Sequence, residues 1–499
     1  MADFHDIPLG QPVPDSPHAV LCSLPRLADI IGYEERRPET IAAMRVGYPR
    51  FLTNPLVARA QELAGKEIGG AGQVVRLVQS EALAAGLAHF VGPKASAPKV
   101  WRGAWVVAVA NETEVLARAK AFHQHVGAAI TSRQAEDILA EAGAGITRFS
   151  EATFIGDAAA KIRGNLAEAY GVAEPADILL TGSGMTAFYA VFQAIREAQA
   201  KRGRRRWLQL GWQYVDTTEV LKKFLGPGER FHFWLDVFDQ AGLEAFFEKH
   251  GAELAGVVAE FPTNPLLHAG DLPALHALCK KHGAVLVVDP TLASPRVVDV
   301  LPHSDVVVNS LTKFAANEGD VMGGAVVFNP ASPWAEELRG PVAVTLPPHY
   351  PRDLARLAAQ IDGYAPLIEK SAASAARLVE FLGRHPAVKA VYWPGEERSR
   401  GNFARLARRG YTTGSVFSFS PRGDLARFYD RVKVVKGPSF GVNFTLLCPF
   451  MFLAHYDLVS TAAGSAHLTA LGLDPCLVRV SVGVEPYAQI EAAFSEALA

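Results

Sequence analysis

The residues best placed for chemistry are an aspartate and a lysine that each follow a buried strand. Asp289 ends the apolar run Val285–Val288. Lys313 follows the next run, Val306–Val308, after a short polar segment. Continuous β-branched runs are typical of parallel strands covered on both faces. Because ligands bind such sheets at the carboxyl ends of the strands, we expect both side chains to face one site.

This pair has the chemistry needed to hold pyridoxal 5'-phosphate (PLP). A lysine amine can bond covalently to the aldehyde of this cofactor, and a carboxylate can keep its pyridine nitrogen protonated, so that the ring accepts electrons. A solvated lysine and a capping aspartate would explain either residue separately, so the prediction depends on neighbouring motifs. With those motifs, we predict Lys313 as the cofactor lysine and Asp289 as the partner of the ring nitrogen.

A glycine-rich turn supplies a candidate phosphate site. The segment Thr181–Thr186 contains Gly184 and Met185 and follows an apolar run, where it begins a predicted helix. The free N–H groups at a helix N-terminus bind anions, although many glycine turns only close a βα unit. The hydroxyls of Ser310 and Thr312 precede Lys313 and could add phosphate contacts or cap a helix. The turn and the two hydroxyls are therefore candidates for binding the cofactor phosphate.

Three further side chains could complete the site. Tyr214 lies in a loop after the strand-like Trp207–Leu210 and could stack on the flat cofactor ring or simply pack. Asn264, in the proline-bounded segment Glu260–Pro265, could reach the ring hydroxyl. Arg479 lies in a β-like run and could clamp a substrate carboxylate through two parallel hydrogen bonds, or be an exposed strand charge.

Composition bounds the class of protein. A chain of 499 residues with 49% hydrophobic residues and 43 glycines is typical of an α/β enzyme of two or three domains. The net charge of −2 gives no electrostatic case for nucleic acid or membrane partners. The four cysteines lack CxxC spacing, so we expect neither a disulfide framework nor a metal site. No leader pattern or bilayer-length apolar run is evident, which favours a cytoplasmic protein.

Changes in pattern along the chain predict four regions. The first is rich in Pro and Gly and is predicted as an arm with little core, and alternating strand and helix patterns from about 178 to 328 predict a doubly wound sheet. The predicted regions are an N-terminal arm (1–65), an α/β insertion (66–150), a PLP-binding large domain (151–340) and a C-terminal small domain (341–499).

Further motifs follow one another along nearly the whole chain. They are His18-Ala19-Val20, Gly32-Tyr33-Glu34-Glu35, Gly47-Tyr48-Pro49-Arg50-Phe51, Tyr214-Val215-Asp216-Thr217, Glu260–Leu267, Val321-Met322-Gly323-Gly324, Lys436–Thr445 and Arg479–Glu485. In this order they resemble the Cys/Met-metabolism enzymes of PLP fold type I, and most closely the fungal-type cystathionine γ-synthases. The resemblance implies an aspartate-aminotransferase-like α/β fold, with a mostly parallel seven-stranded large domain and a smaller α+β C-terminal domain.

The resemblance also implies roles for individual residues. Lys313, Asp289 and Tyr214 would be catalytic, with Tyr214 stacked on the cofactor ring. The phosphate would be held by Gly184, Met185, Ser310 and Thr312, and the substrate carboxylate by Ser439 and Arg479. Tyr48 and Arg50 match a Tyr-x-Arg motif that reaches the phosphate of a neighbouring subunit, so a homodimer or homotetramer with shared active sites is expected.

The implied activity is replacement at the γ-carbon of an O-acyl or O-phospho homoserine by a thiol such as cysteine, which gives cystathionine. Three places depart from the family pattern: Pro290, Phe314–Asp320 and Ala358–Tyr364. These departures do not affect the residues expected to bind PLP, but they leave the amino-acid substrate undetermined. The alternatives are a γ- or β-lyase acting on a thioether amino acid, a homoserine-ester sulfhydrylase, or a protein in which the arm and the 68–130 insertion make a regulatory or assembly module.

Overall fold

The computed structural model describes residues 7–499, and its strands form three sheets. Short 3-10 turns connect several elements, at Pro175–Asp177, Gly251–Glu253, Leu301–His303 and Ile361–Gly363. Within residues 7–499, no helix has the length and apolar character needed to cross a bilayer. In the same range, no group of three or more His, Cys, Asp or Glu side chains is arranged to hold a metal ion.

The N-terminal segment carries α1 (Leu27–Glu34) and α2 (Pro38–Ala43). It is folded against the end of the chain: Leu24 N donates to Lys436 O at 2.8 Å, and the Tyr429 hydroxyl donates to Leu24 O at 2.8 Å. Leu24 and its apolar neighbours share a buried cluster with phenylalanines of the C-terminal sheet. The expected arm therefore has a substantial core, supplied by residues 400 positions away.

A small α/β unit comes next. Its elements are α3 (Pro55–Ile68), β1 (Gln73–Val78), α4 (Glu81–Val91), β2 (Lys99–Trp101), β3 (Ala104–Ala110), α5 (Thr113–Val126) and α6 (Ser132–Glu141). The three strands pair antiparallel in the order β1-β3-β2. The boundary expected at 65 lies inside α3, because that helix packs on α6 and β1 of this unit.

The central layer is a seven-stranded sheet in the order β4-β10-β9-β8-β7-β5-β6. Strands β5 to β9 are parallel and β10 is antiparallel to both neighbours, which confirms the predicted mostly parallel sheet. The elements are α7 (Ala158–Tyr170), β4 (Leu179–Thr181), α8 (Gly184–Ala200), β5 (Arg206–Leu210), α9 (Val215–Lys223), β6 (Arg230–Trp234), α10 (Gln240–His250), β7 (Leu254–Glu260), α11 (Leu272–His282), β8 (Val285–Asp289), β9 (Val306–Ser310), β10 (Gly324–Phe328) and α12 (Trp334–Thr345).

The middle strands are buried on both faces and end in polar residues. In β8, Leu286 and Val288 belong to the core on one face, whereas Val285 and Val287 belong to the core on the other. This alternation explains the continuous apolar run, because every position faces a helix layer. At the carboxyl ends of the adjacent strands β7, β8 and β9 stand Glu260, Asp289 and Ser310.

The C-terminal sheet has the order β11-β12-β15-β14-β13 and is antiparallel except for the β13–β14 pair. The boundary expected at 340 lies inside α12, which packs on α8. The elements are α13 (Pro351–Gln360), α14 (Tyr364–Arg384), β11 (Val388–Tyr392), α15 (Glu397–Leu406), β12 (Val416–Pro421), α16 (Leu425–Arg431), β13 (Val435–Lys436), β14 (Leu446–Pro449), α17 (Phe450–Ala454), α18 (Tyr456–Val459), α19 (Ala462–Ala470), β15 (Val478–Ser481) and α20 (Tyr487–Leu498).

A buried ion-pair network joins the insertion to the large sheet and to α13. Arg133 of α6 is 1% exposed and binds both carboxylate oxygens of Glu151, at 2.7 and 2.6 Å. Its Nη1 donates to Asp353 Oδ1 of α13 at 2.9 Å and to Asp320 O at 2.9 Å. One cation therefore links three parts of the fold.

Candidate active site

A cavity of about 140 Å³ lies at the carboxyl ends of β7, β8 and β9. It brings together eleven of the twelve residues predicted from the sequence. They are Tyr48, Arg50, Gly184, Met185, Tyr214, Asn264, Asp289, Ser310, Lys313, Ser439 and Arg479.

Thr312 is the exception. Its hydroxyl donates to Gly323 O at 3.3 Å and accepts from Gly323 N at 3.1 Å, so it is directed into the protein rather than into the cavity. Both hydrogen bonds of the Thr312 hydroxyl go to the backbone of Gly323, which immediately precedes β10. The predicted contact between Thr312 and the phosphate is therefore not supported by this geometry.

Lys313 has the environment of a reactive amine. Its Nζ donates to Ser439 Oγ at 2.9 Å and lies 3.4 Å from the Tyr48 hydroxyl. Burial lowers the pKa of Lys313, and the positive charges of Arg479 and Arg50 lower it further against the opposing effect of Tyr48. A lysine that loses its proton more readily is a better nucleophile and a better base near neutral pH.

Asp289 is suited to pair with a protonated pyridine nitrogen. Its Oδ1 accepts from Thr291 N at 2.8 Å. Burial raises the pKa of Asp289 to about 6, and the bonds to Thr291 oppose that rise. A buried carboxylate with an uncharged hydrogen-bond partner is stabilised by a cation. The ring N–H⁺ of PLP is such a cation.

Glu260 stands next to Asp289 and had no role in the sequence analysis. The two are register partners on β7 and β8. Burial, followed by the charge of Asp289, raises the pKa of Glu260 well above its usual value. Its Oε1 accepts from Tyr214 N at 2.5 Å. Glu260 therefore fixes the start of α9, and with it the aromatic ring that lines the cavity.

The start of α8 forms a phosphate cradle. Ser183 caps the helix through Thr186 N at 3.1 Å, and the N–H groups of the first turn have no intrahelical acceptor. A Cβ on Gly184 would come within 2.8 Å of Ser310 Cβ, so this position requires glycine. Backbone N–H groups beside a serine hydroxyl and a guanidinium suit a phosphate dianion. Gly184, Met185, Ser310 and Arg50 could hold it.

Arg50 and Tyr48 lie in the cavity of their own chain. Arg50 Nη1 donates to Asp216 Oδ2 and to Gln124 O, and Nη2 donates to the Tyr214 hydroxyl. This differs from the implied contact with a neighbouring subunit. The reason is the folded N-terminal segment, which brings residues 48–50 against Lys313 and the start of α9 of the same chain.

Arg479 on β15 also lines the cavity. Its Nη1 donates to Asn264 Oδ1 at 3.0 Å and its Nη2 to Ser439 O at 3.2 Å. The guanidinium carbon lies 4.9 Å from the ring centres of both Phe440 and Phe450. The guanidinium plane is thus fixed for a carboxylate. Asn264 uses its oxygen for Arg479, so only its NH₂ group could bind a cofactor hydroxyl.

Three residues that support Arg50 were missed by sequence reasoning: Gln124, His125 and Asp216. His125 Nδ1 lies 2.8 Å from Asp216 Oδ1. Asp216 was visible as part of a motif without a role, whereas residues 124 and 125 end a helix of the insertion and carry no signal of their own.

Comparisons with known proteins agree with this site. The family model "Cys/Met metabolism PLP-dependent enzyme" matches residues 162–499. The chain is 41% identical over 488 residues to L-2-amino-4-chloropent-4-enoate dechlorinase/desaturase of Streptantibioticus cattleyicolor, covering 98% of this chain and 97% of that protein. It is 33% identical over 329 residues to cystathionine gamma-synthase of Neurospora crassa, covering 64% of this chain and 52% of that protein.

A solved structure shows the same architecture. Cystathionine gamma synthase of Xanthomonas oryzae pv. oryzae in complex with cystathionine superposes with a TM-score of 0.58 at 25% identity, covering 71% of this chain and 88% of that one. The family match spans more than half of the chain and includes the lysine, the aspartate and the phosphate cradle. The chain therefore belongs to the PLP-dependent enzymes of Cys/Met metabolism.

Proposed function

We propose that this PLP-dependent enzyme eliminates a leaving group from the γ-carbon of a small L-amino acid with an uncharged side chain. The relative at 41% identity is named for removing chlorine from L-2-amino-4-chloropent-4-enoate with desaturation. The chlorine in that compound is on C4, which is the γ-carbon. The γ-replacement predicted from the sequence shares the loss of a γ-leaving group, and differs in the nucleophile that then enters.

The observation that carries the proposal is the charge of the cavity wall. Among residues 7–499, three cations line the cavity: Arg50, Lys313 and Arg479. The phosphate, the cofactor aldehyde and the substrate α-carboxylate would use all three. The carboxylate of an incoming cysteine, or of a succinyl ester, would find no cation left, and burying an unpaired charge is strongly unfavourable.

The cavity wall also has a large apolar part. Six aromatic and aliphatic side chains line the cavity: Phe51, Phe188, Leu292, Phe440, Phe450 and Leu453. Such a wall binds a chlorinated or alkenyl side chain by burial of apolar area and keeps out water. This lining also favours elimination, because water and charged thiols compete poorly for the site.

The residues can be given roles in that reaction. PLP, when bound, supplies the electron sink that makes C–H bonds of the amino acid acidic. Arg479 would bind the α-carboxylate through two parallel hydrogen bonds. Lys313 would take a proton from Cα and then one from Cβ, and one proton would return to the carbon skeleton of the product, so that the net loss is one proton and the leaving group. The bond from Cγ to the leaving group breaks, and the group departs as an anion with the bonding electrons.

Tyr48 is the second candidate for proton transfer. Burial acts to raise the pKa of Tyr48, but the charges of Lys313 and Arg50 more than offset it and lower the pKa. As a phenolate, its oxygen, 3.4 Å from Lys313 Nζ, could accept the proton that the lysine must release before it acts again.

Replacement by a thiol is the alternative. The fungal-type motifs and the 33% identity to the Neurospora protein favour it, with cysteine or sulfide as the nucleophile. Assembly into a homodimer or homotetramer is proposed on the same resemblance.

Product analysis of the holoenzyme tests the proposal. The substrates are L-2-amino-4-chloropent-4-enoate, the acetyl, succinyl and phospho esters of homoserine, and cystathionine, each with and without cysteine or sulfide. We expect chloride release from the first compound at a rate that does not change when cysteine is added, and no release by the Lys313→Ala protein. Elimination would not be the main activity if cystathionine forms from a homoserine ester and cysteine faster than chloride is released from the chlorinated amino acid.

A further inference from the structure

The insertion touches the phosphate side of the active site at the end of α5. Thr186 Oγ1, in the first turn of α8, donates to Val126 O at 3.1 Å. A Cβ on Gly127 would lie 2.5 Å from Ser183 Oγ and 3.5 Å from Arg50 Cδ. The end of α5 is therefore packed directly beneath the turn that forms the phosphate cradle. The family model, which begins at 162, does not include this part of the chain.

Four side chains form a line of hydrogen bonds from the surface to the cavity. Lys223 Nζ lies 3.1 Å from His125 Nε2, and His125 Nδ1 lies 2.8 Å from Asp216 Oδ1. The other oxygen of Asp216 accepts from Arg50 Nη1. An ammonium group can only donate, so Nε2 of His125 accepts and its Nδ1–H donates to Asp216.

The inner part of this line is buried. His125 is 4% exposed, Asp216 is 0% exposed and Arg50 is 9% exposed. Burial acts to raise the pKa of Asp216, but Arg50 and then His125 lower it below its usual value. The carboxylate therefore stays ionised and holds Arg50 through a charge-assisted bond. Without His125, Oδ1 would keep only a 3.4 Å contact with Gln124 Nε2.

We propose that His125 is a positioning residue for the cofactor phosphate. It orients Asp216, which fixes the guanidinium of Arg50 at the N-terminus of α8. The insertion is then a working part of the cofactor site rather than a separate regulatory module. This inference rests on PLP binding and not on the proposed elimination, so either can fail without the other.

The test compares PLP with pyridoxal, which lacks the phosphate. Apoproteins of the wild type, His125→Ala, His125→Asn and Arg50→Ala are titrated with each compound, and dissociation constants are measured by quenching of protein fluorescence. We expect His125→Ala to weaken PLP binding about tenfold, as losing the outer partner of a ligand-binding group does at metal sites, and to leave pyridoxal binding within about twofold.

Two matched variants sharpen the result. Asn places an N–H donor where Nδ1 stood, so His125→Asn should retain most of the affinity for PLP. His123 is on the same helix and neither of its ring nitrogens has a hydrogen-bond partner among residues 7–499. His123→Ala therefore controls for loss of a buried ring and should leave the ratio of the two dissociation constants unchanged.

Each outcome decides the proposal. If the ratio of the dissociation constants for PLP and pyridoxal is unchanged in His125→Ala, the histidine only packs. If that ratio is unchanged in Arg50→Ala, Arg50 does not bind the phosphate, and the proposal fails. If His125→Ala does not fold, His125→Asn and His125→Gln replace it, since Gln places its amide at the Nε2 position. Equal ratios in these two variants and the wild type would also overturn the proposal.

Discussion

Lys313 carries the reactive amine. Replacing it should abolish the covalent bond to the cofactor and leave non-covalent binding of the cofactor in place. We expect Lys313→Ala to lose turnover and the covalently held cofactor, because the other residues bind the phosphate and ring without forming a bond to the aldehyde. Borohydride reduction followed by mass spectrometry should find a pyridoxyl group on Lys313 of the wild type and none on the variant. A wild-type protein that takes up no added PLP would contradict the assignment.

Asp289 combines a functional role with a stability cost. The pKa of Asp289 is raised to about 6 by burial, so the folded apoprotein binds this proton more tightly than the unfolded chain. Its contribution to stability is therefore full below about pH 4 and is lost as the pH rises to about 6. Two pKa units correspond to roughly 3 kcal/mol.

Asp289→Asn should remove that cost. We expect the variant apoprotein to be more stable than wild type at pH 7.5, by up to about 3 kcal/mol, with the difference vanishing near pH 4. Urea unfolding of both apoproteins at the two pH values measures it. With PLP bound, the same variant should keep the cofactor and lose at least about tenfold in turnover, since an amide cannot keep the ring nitrogen protonated.

At the scale of single residues, the sequence predicted the positions that follow from strand order. Asp289 and Ser310 end parallel strands, and such ends meet at one edge of a sheet, so their proximity follows from the pattern. His125 and Asp216 are 91 positions apart, and their contact depends on how the insertion docks. Thr312 lies two residues after the end of the strand that Ser310 closes, but its hydroxyl pairs with Gly323, which immediately precedes β10.

At the scale of elements, the N-terminal segment was predicted least well. Its Pro and Gly content suggested an arm with little core, because the distant elements on which α1 packs are α16 and α17 of the C-terminal region. Buried strands carry their own signal in continuous apolar runs, whereas a short helix that packs on a distant element does not. The predicted sheet was therefore confirmed, and the implied contact of Tyr48 and Arg50 with a neighbouring subunit stays a prediction.

The position of this segment predicts the result of mixing two inactive proteins. If Arg50 and Lys313 serve one cavity within a chain, mixing Arg50→Ala with Lys313→Ala should restore no activity, because each chain has one defective site. Exchange of differently tagged subunits provides the control, and it must be demonstrated before the assay. Recovery approaching a quarter of wild-type turnover would show instead that the segment crosses to a neighbouring chain.

At the scale of the molecule, the ion pairs of Arg133 hold the insertion, the large sheet and α13 together. Removing one partner of a buried pair leaves the others uncompensated. We therefore expect Arg133→Met to reduce the free energy of unfolding by about 3 to 5 kcal/mol. Arg148, which is 53% exposed and pairs with Asp137, is the matched control. Arg148→Met should change stability by about 1 kcal/mol or less in the same urea titration, and equal effects would contradict the special role of Arg133.

The contact between Leu24 and residues 429–436 has a consequence for how the enzyme is made. A chain leaves the ribosome N-terminus first, and domains generally fold as they emerge. Here the segment that carries Tyr48 and Arg50 is synthesised early, while residues 429–436, which contact Leu24, are synthesised about 400 positions later. The cavity can therefore be completed only after Ser439 and Arg479 have been synthesised, and a chain that stalls before residue 429 would have Lys313 and Asp289 but no closed site for the cofactor.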